Sequence, residues 1–113
     1  MSASDFPIVY EVLVDVDEDI VGEFREWLTK HAQDVIALDD CRWQDTCEVF
    51  EREGDVEGKK LLTVLYRLQD REGMQQYLDV HAPRLRGDLP AHFAGKLSIS
   101  RNIMRSVQTI SKD

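Results

Sequence analysis

With 113 residues, 42% hydrophobic and 32% charged, the chain is the size of one soluble domain that closes a core without metal or disulfide staples. Its 22 acidic residues against 14 basic ones leave a net charge of −8, a field that repels phosphate backbones and argues against a nucleic-acid partner. No apolar run approaches the roughly 18–20 residues of a membrane span, and "MSASDFP" has neither the basic nor the apolar region of a signal peptide; no membrane association is expected, and the expected compartment is the cytosol.

Residues 1–7 read as a tail, 8–107 as a single domain and 108–113 as a second tail. "IVYEVLVDV" (8–16) is a strand whose parity sets Ile8, Tyr10, Val12, Val14 and Val16 on one face. Val9, Glu11, Leu13 and Asp15 take the other. The acidic start of "DEDIVGEFREWLTKHAQ" suits a helix N-terminus. Ile20, Phe24, Trp27, Leu28 and His31 recur at helical spacing behind it.

"CRWQDTCEVFERE" (41–53) alternates as a second strand, with Cys41, Trp43, Cys47 and Val49 pointing one way. On that strand the two cysteines lie about 20 Å apart, beyond the roughly 7 Å a disulfide tolerates, so two free thiols are expected. "GDVEGKK" is a charged turn. "LLTVLYRL" (61–68) is apolar on both sides and reads as a central strand covered twice.

Asp70 is placed to cap a second helix with Met74, Tyr77, Leu78 and His81 on one stripe. That helix is expected to end near His81, because the residue before a proline is pushed from helical geometry. Pro83 and Pro90 each suit the first turn of a new short helix, the first at a new angle, and Gly95 the end of the last one. "KLSISRNIMRSV" (96–107) is the final strand.

The order β-α-β-β-α-β is the ferredoxin-like α+β pattern: a four-stranded antiparallel sheet, strand order 4-1-3-2, with both helices on one face. The open face would then carry Val9, Leu13, Leu61 and Leu65. That apolar area calls for a partner, and a two-fold homodimer packed sheet to sheet is expected.

Several of these residues carry a resemblance. "IVYEVLVDVDEDI", Trp27 and His31, "YLDVHAPRLR", Phe93 and the pair Ser100–Arg101 resemble the family called domain of unknown function 4286. "HAPRLR" and "YEV" are its most specific elements, and the likeness runs from residue 8 to about 105. It implies the dimeric α/β-barrel group, which also holds small cofactor-free oxygenases, cyclases and stress-responsive proteins. It implies no reaction. "FEREGDVEGKK" is a longer, more charged hairpin than the family's compact form.

Tyr77 and His81, four positions apart, share the core-facing stripe of the second helix, and His31 closes the stripe of the first. Both helices cover the sheet face that holds Tyr10 and Tyr66, so these residues can meet in a cleft between helices and sheet. The simpler expectation is that each histidine bonds a backbone carbonyl or caps its helix, and that each tyrosine is a core residue with a bonded hydroxyl. Arg84 and Arg86 beside Pro83 suit an anion subsite, but bridges to Asp79 or Asp88 at the surface are the simpler expectation. Arg101 is expected to reach the open face or a dimer partner.

No phosphate loop, HExxH or GxSxG pattern is present, so no cofactor or metal is expected; His31, His81 and Glu11 would hold a metal only if the fold converged them. Two function classes remain. One is a small dimeric binding or structural module for a small organic ligand or anion. The other is a cofactor-free enzyme, resembling monooxygenases, isomerases or cyclases, with a histidine as general base. A cavity holding a histidine with no partner for its imidazole favours the enzyme; a solid core favours the module.

Overall fold

The computed structural model describes residues 5–112; the outermost parts of the two expected tails, residues 1–4 and 113, lie outside the described residues. Strand β1 (Ile8–Asp17) leads through a 3-10 turn at Glu18–Ile20 into helix α1 (Val21–Ile36). Strands β2 (Glu48–Glu51) and β3 (Lys59–Leu68) follow, then helices α2 (Arg71–Gln76) and α3 (Ala82–Gly87), and strand β4 (Leu97–Arg105). The sheet is antiparallel in the order β2-β3-β1-β4. This is the expected 4-1-3-2 arrangement, a ferredoxin-like fold.

Strand parity decides what each face buries. Tyr10 pairs with Tyr66, Val12 with Val64 and Val14 with Leu62, and most of these side chains are buried beneath the helices together with Phe24, Leu28, Met74 and Phe93. Each fully buried side chain of this size contributes about 1.5–3 kcal/mol. On the other face Glu11 opposes Leu65, Leu13 opposes Thr63 and Asp15 opposes Leu61. Among the described residues no helix packs on that face. It is partly apolar, but Asn102 donates to Glu11 at 3.0 Å there, and Arg52 pairs with Asp15 at 2.7 Å while donating to the Val14 and Leu62 carbonyls. The charged hairpin is thus anchored to the sheet by its own arginine.

The second strand is shorter than its alternation suggests. Residues 41–47 form no strand, because Arg42 turns into the left-handed region at φ 59°, clamped by two hydrogen bonds to the Asp70 carboxylate. Trp43 makes an isolated bridge to Leu68, and regular pairing resumes only at Glu48 opposite Leu65. Five steps on one chain match three on the other, so two residues bulge out between them. Cys41 and Trp43 are consequently buried, whereas Val49 lies on the exposed edge.

Asp70 caps α2 as expected, accepting from the Gly73 N–H at 2.9 Å. The break at His81 does not occur. The helix continues through a π turn at Tyr77–His81 into α3, and Ala82 stays helical at φ −58°, ψ −43° despite the following Pro83. A wider turn accommodates a proline ring and its missing donor, which in an α-turn would meet the carbonyl four residues earlier. Leu85 and Phe93 are buried at that end of the core with Leu89 packed on it. Pro90 precedes a 3-10 turn at Ala91–Phe93, and Gly95, at φ 78°, releases the chain into β4. Among the described residues no helix is long and apolar enough to cross a membrane.

Candidate functional site

A cavity of about 70 Å³ lies between α1, the helix after β3 and the covered face of β1, β3 and β4. Its aromatic wall follows from register. Tyr10 and Tyr66 face each other across β1 and β3, so their rings stack at 5.8 Å. Tyr77, from the π turn, meets Tyr10 at the same centroid distance and meets Trp43 edge-on at 5.2 Å. From α1 come Phe24, Trp27, Leu28 and His31, spaced to share one stripe. Trp27 and His31, four residues apart, stack at 4.6 Å and 16°.

The polar groups are few and convergent. Arg86 donates to the Tyr10 hydroxyl at 3.1 Å. Arg101 enters from β4, where pairing with Val12 sets it on the helix-covered face. Neither guanidinium forms an ion pair among the described residues. The His31 imidazole makes no hydrogen bond among them either; its ring stacks on Trp27.

Burial sets the protonation states here. It lowers the His31 pKa, and Arg101 adds to the effect, against the opposing pull of Asp34 and Asp88. It raises the Tyr66 phenol well above its usual range, with the neighbouring Cys47, Tyr77 and Tyr10 adding to the rise. Tyr77 is pushed up to about 12, first by burial and then by Tyr10, while Arg86 and Arg101 pull the other way. At neutral pH the cavity therefore presents a neutral imidazole, neutral phenols and two unneutralised cations.

Of the residues singled out in the sequence, His31, Tyr10, Tyr66 and Arg86 line this cavity, and His81 and Arg84 do not. Two placements are corrections. Arg86 is exposed as a residue, but its guanidinium reaches back over the cavity to the Tyr10 hydroxyl. Neither Arg84 nor Arg86 bridges Asp79 or Asp88, and Asp79 accepts instead from Gln75 at 2.9 Å. His81, expected at the edge of the same cleft, faces the loop before β2 and meets Asp40 at 2.8 Å. The trio His31, His81 and Glu11 does not converge, since Glu11 lies on the open face.

Arg101 is a lining residue that the sequence reading did not include in the cleft, and it lies on the covered face rather than the open one. The alternation of Ile99, Arg101 and Ile103 carried the signal, since that parity aligns with Val14, Val12 and Tyr10 once β4 pairs with β1. Asp40 gave no signal, because its neighbour His81 is 41 residues away. Asp40 accepts from Gln76 at 2.9 Å and from the Cys41 thiol at 3.4 Å. Its carboxyl is held well below the usual range by Gln76 first and His81 next. Burial, with Asp40 beside it, pushes the Cys41 thiol up to about 12.

A family model described as a domain of unknown function, DUF4286, matches residues 7–107. Among solved structures, the chain is similar to a putative antibiotic biosynthesis monooxygenase from Bacillus cereus, at 12% identity and TM-score 0.64 over 94% of this chain and 98% of that one. It is similar also to a conserved protein from Methanosarcina mazei Go1, at 17% identity and TM-score 0.58 over 92% and 96%. A dimeric ferredoxin-like protein from an uncultured marine organism matches at 12% identity and TM-score 0.58 over 92% and 99%. No curated protein matches the chain. At these identities the structural likenesses establish the fold alone.

Proposed function

Because this chain belongs to the DUF4286 family, whose function its description leaves open, we propose a reading from the cleft itself: a small binding module that takes an organic acid between its helices and its sheet. The observation that carries it is the pair Arg86 and Arg101. In a chain of net charge −8, two guanidiniums line one apolar cavity without a carboxylate between them. An incoming carboxylate supplies the missing partner in the bidentate geometry arginine favours, and the tyrosines, Trp27 and Ile99 receive the apolar body. The test is a titration with small aromatic and aliphatic carboxylates, followed by nuclear magnetic resonance. Shifts at His31, Trp27 and Tyr10 are expected; shifts confined to residues outside the cleft overturn the reading.

The same reading includes a homodimer closed through the open sheet face. Its support is the apolar set Leu13, Leu61, Leu65, Phe50 and Met104, of which Phe50 and Met104 are more than two-fifths exposed in the single chain. A structural neighbour described as dimeric is consistent with it. Two free thiols, Cys41 and Cys47, suit a reducing compartment and hence the cytosol.

One observation favours a second reading. His31 lines the cavity as a neutral imidazole without a hydrogen-bond partner, which is the arrangement of a general base awaiting a substrate proton. Cofactor-free proton abstraction from a bound acid follows from it. Exchange of a bound acid's α-hydrogen with deuterated solvent, lost in His31→Gln, would distinguish this activity from simple binding.

A further inference from the structure

Away from the cleft, Asp40, Cys41 and His81 present a carboxylate oxygen, a sulfur and an imidazole nitrogen that all lie within 4.8 Å of one another. We propose that these three side chains form a binding site for a divalent transition metal of zinc-like preference, with a fourth position open to water. Tetrahedral zinc at bond lengths of about 2.0–2.3 Å sets its donors roughly 3.5 Å apart. The Cys41 sulfur and an Asp40 oxygen are already at 3.4 Å. The Asp40–His81 contact, at 2.8 Å, has to open slightly, and the half-exposed Asp40 side chain can swing to allow it. Sulfur and imidazole donors select zinc, cobalt or copper over magnesium and calcium, which take oxygen.

The surroundings are built around these donors. Gln76 donates to Asp40 and fixes the carboxylate, as the groups that orient metal ligands commonly do. Trp43 is buried beside Cys41, its indole N–H directed at the sulfur and without a close hydrogen bond to any other group among the described residues. A metal-bound thiolate would accept from it. The π turn is what aims His81: without its extra residue the imidazole would be turned by about 100° around the helix. Cys41 is fully buried while the Asp40 side chain is 44% exposed, so a metal would enter from the Asp40 side.

Binding would form one bond each to sulfur, nitrogen and oxygen. It would break the Asp40–His81 hydrogen bond, leave His81 protonated on Nδ1 alone, and release the thiol proton of Cys41 to solvent. This site does not depend on the acid-binding reading.

The test is titration of chelator-treated protein with Co(II), the spectroscopic stand-in for zinc. A sulfur-to-cobalt charge-transfer band that saturates at one equivalent is expected, displaced by Zn(II) and unaffected by Mg(II). Cys41→Ser should abolish it. Because Cys41 is a core residue whose substitution can unfold the chain, His81→Gln is the second variant; it should keep the fold by circular dichroism and weaken cobalt binding at least tenfold. No band in the folded protein, a band that survives in Cys41→Ser and so belongs to Cys47, or unchanged affinity in His81→Gln would each overturn the proposal.

Discussion

Arg86, on the helix beyond the π turn, donates to the hydroxyl of Tyr10 on the central strand at 3.1 Å. This contact ties helix layer to sheet across the cavity and sets a cation at its rim. Arg84, two residues earlier and exposed as Arg86 is, makes no such contact. Arg86→Met should therefore cost about 1 kcal/mol, within the usual range for one hydrogen bond, and Arg84→Met less than about 0.5 kcal/mol. Urea unfolding of the two variants makes the comparison; equal midpoints would mean that the contact contributes nothing in solution.

Gly73 has no room for a side chain. A Cβ there would stand 2.0 Å from the Cys41 carbonyl oxygen, a backbone atom that cannot move without disturbing the loop before β2. Gly73→Ala should destabilise by about 1–3 kcal/mol or prevent folding. Gly22, in α1, has nothing within 4 Å, and Gly22→Ala should stabilise by roughly 0.5–1 kcal/mol. Opposite signs in thermal midpoints are the expected result.

The His31 pKa is lowered on folding from its ordinary 6.5, chiefly by burial. Below pH 6.5 the unfolded chain therefore binds the proton that the folded chain resists. Stability from this site is whole above pH 6.5 and falls as pH drops through the window down to the folded pKa. Replacing His31 by Gln should flatten the decline of the urea midpoint just below pH 6.5. A decline unchanged in the variant would show that other groups cause it.

Leu65 sits near the middle of β3 on the open face, opposite Glu11. If that face is buried against a second copy, Leu65→Glu sets an unpaired charge in the interface next to another carboxylate, and dimers should dissociate. Light scattering should give twice the chain mass for the parent protein and the single mass for the variant. A parent protein that is monomeric at micromolar concentration removes the dimer from the account.

What the sequence carried was parity and order. β1, β3 and β4 were legible because their alternation meets a two-sided sheet, and Asp70 was legible because a cap acts within three residues. The bulge at 45–47 was not, since it depends on Arg42 reaching Asp70, 28 residues away. Pro83 reads as a helix start and does lie in the first turn of α3, but the π turn at Tyr77–His81 joins that helix to α2 without a break. Beyond that turn Arg86 bonds the Tyr10 hydroxyl and His81 meets Asp40, two contacts the sequence reading did not place. Four of the six expected residues, His31, Tyr10, Tyr66 and Arg86, thus line one cavity, with Arg101 added by strand pairing.

The central claim is that Arg86 and Arg101 make the cleft an acid-binding site, and calorimetric titration with a small aromatic carboxylate and with its neutral primary amide tests it most directly. The carboxylate should bind, the amide should bind at least tenfold more weakly, and Arg101→Met should erase the difference, because a charged hydrogen-bonded pair contributes about 1.5–3 kcal/mol. Equal affinity for acid and amide, or an acid preference that persists in both Arg86→Met and Arg101→Met, would contradict the account.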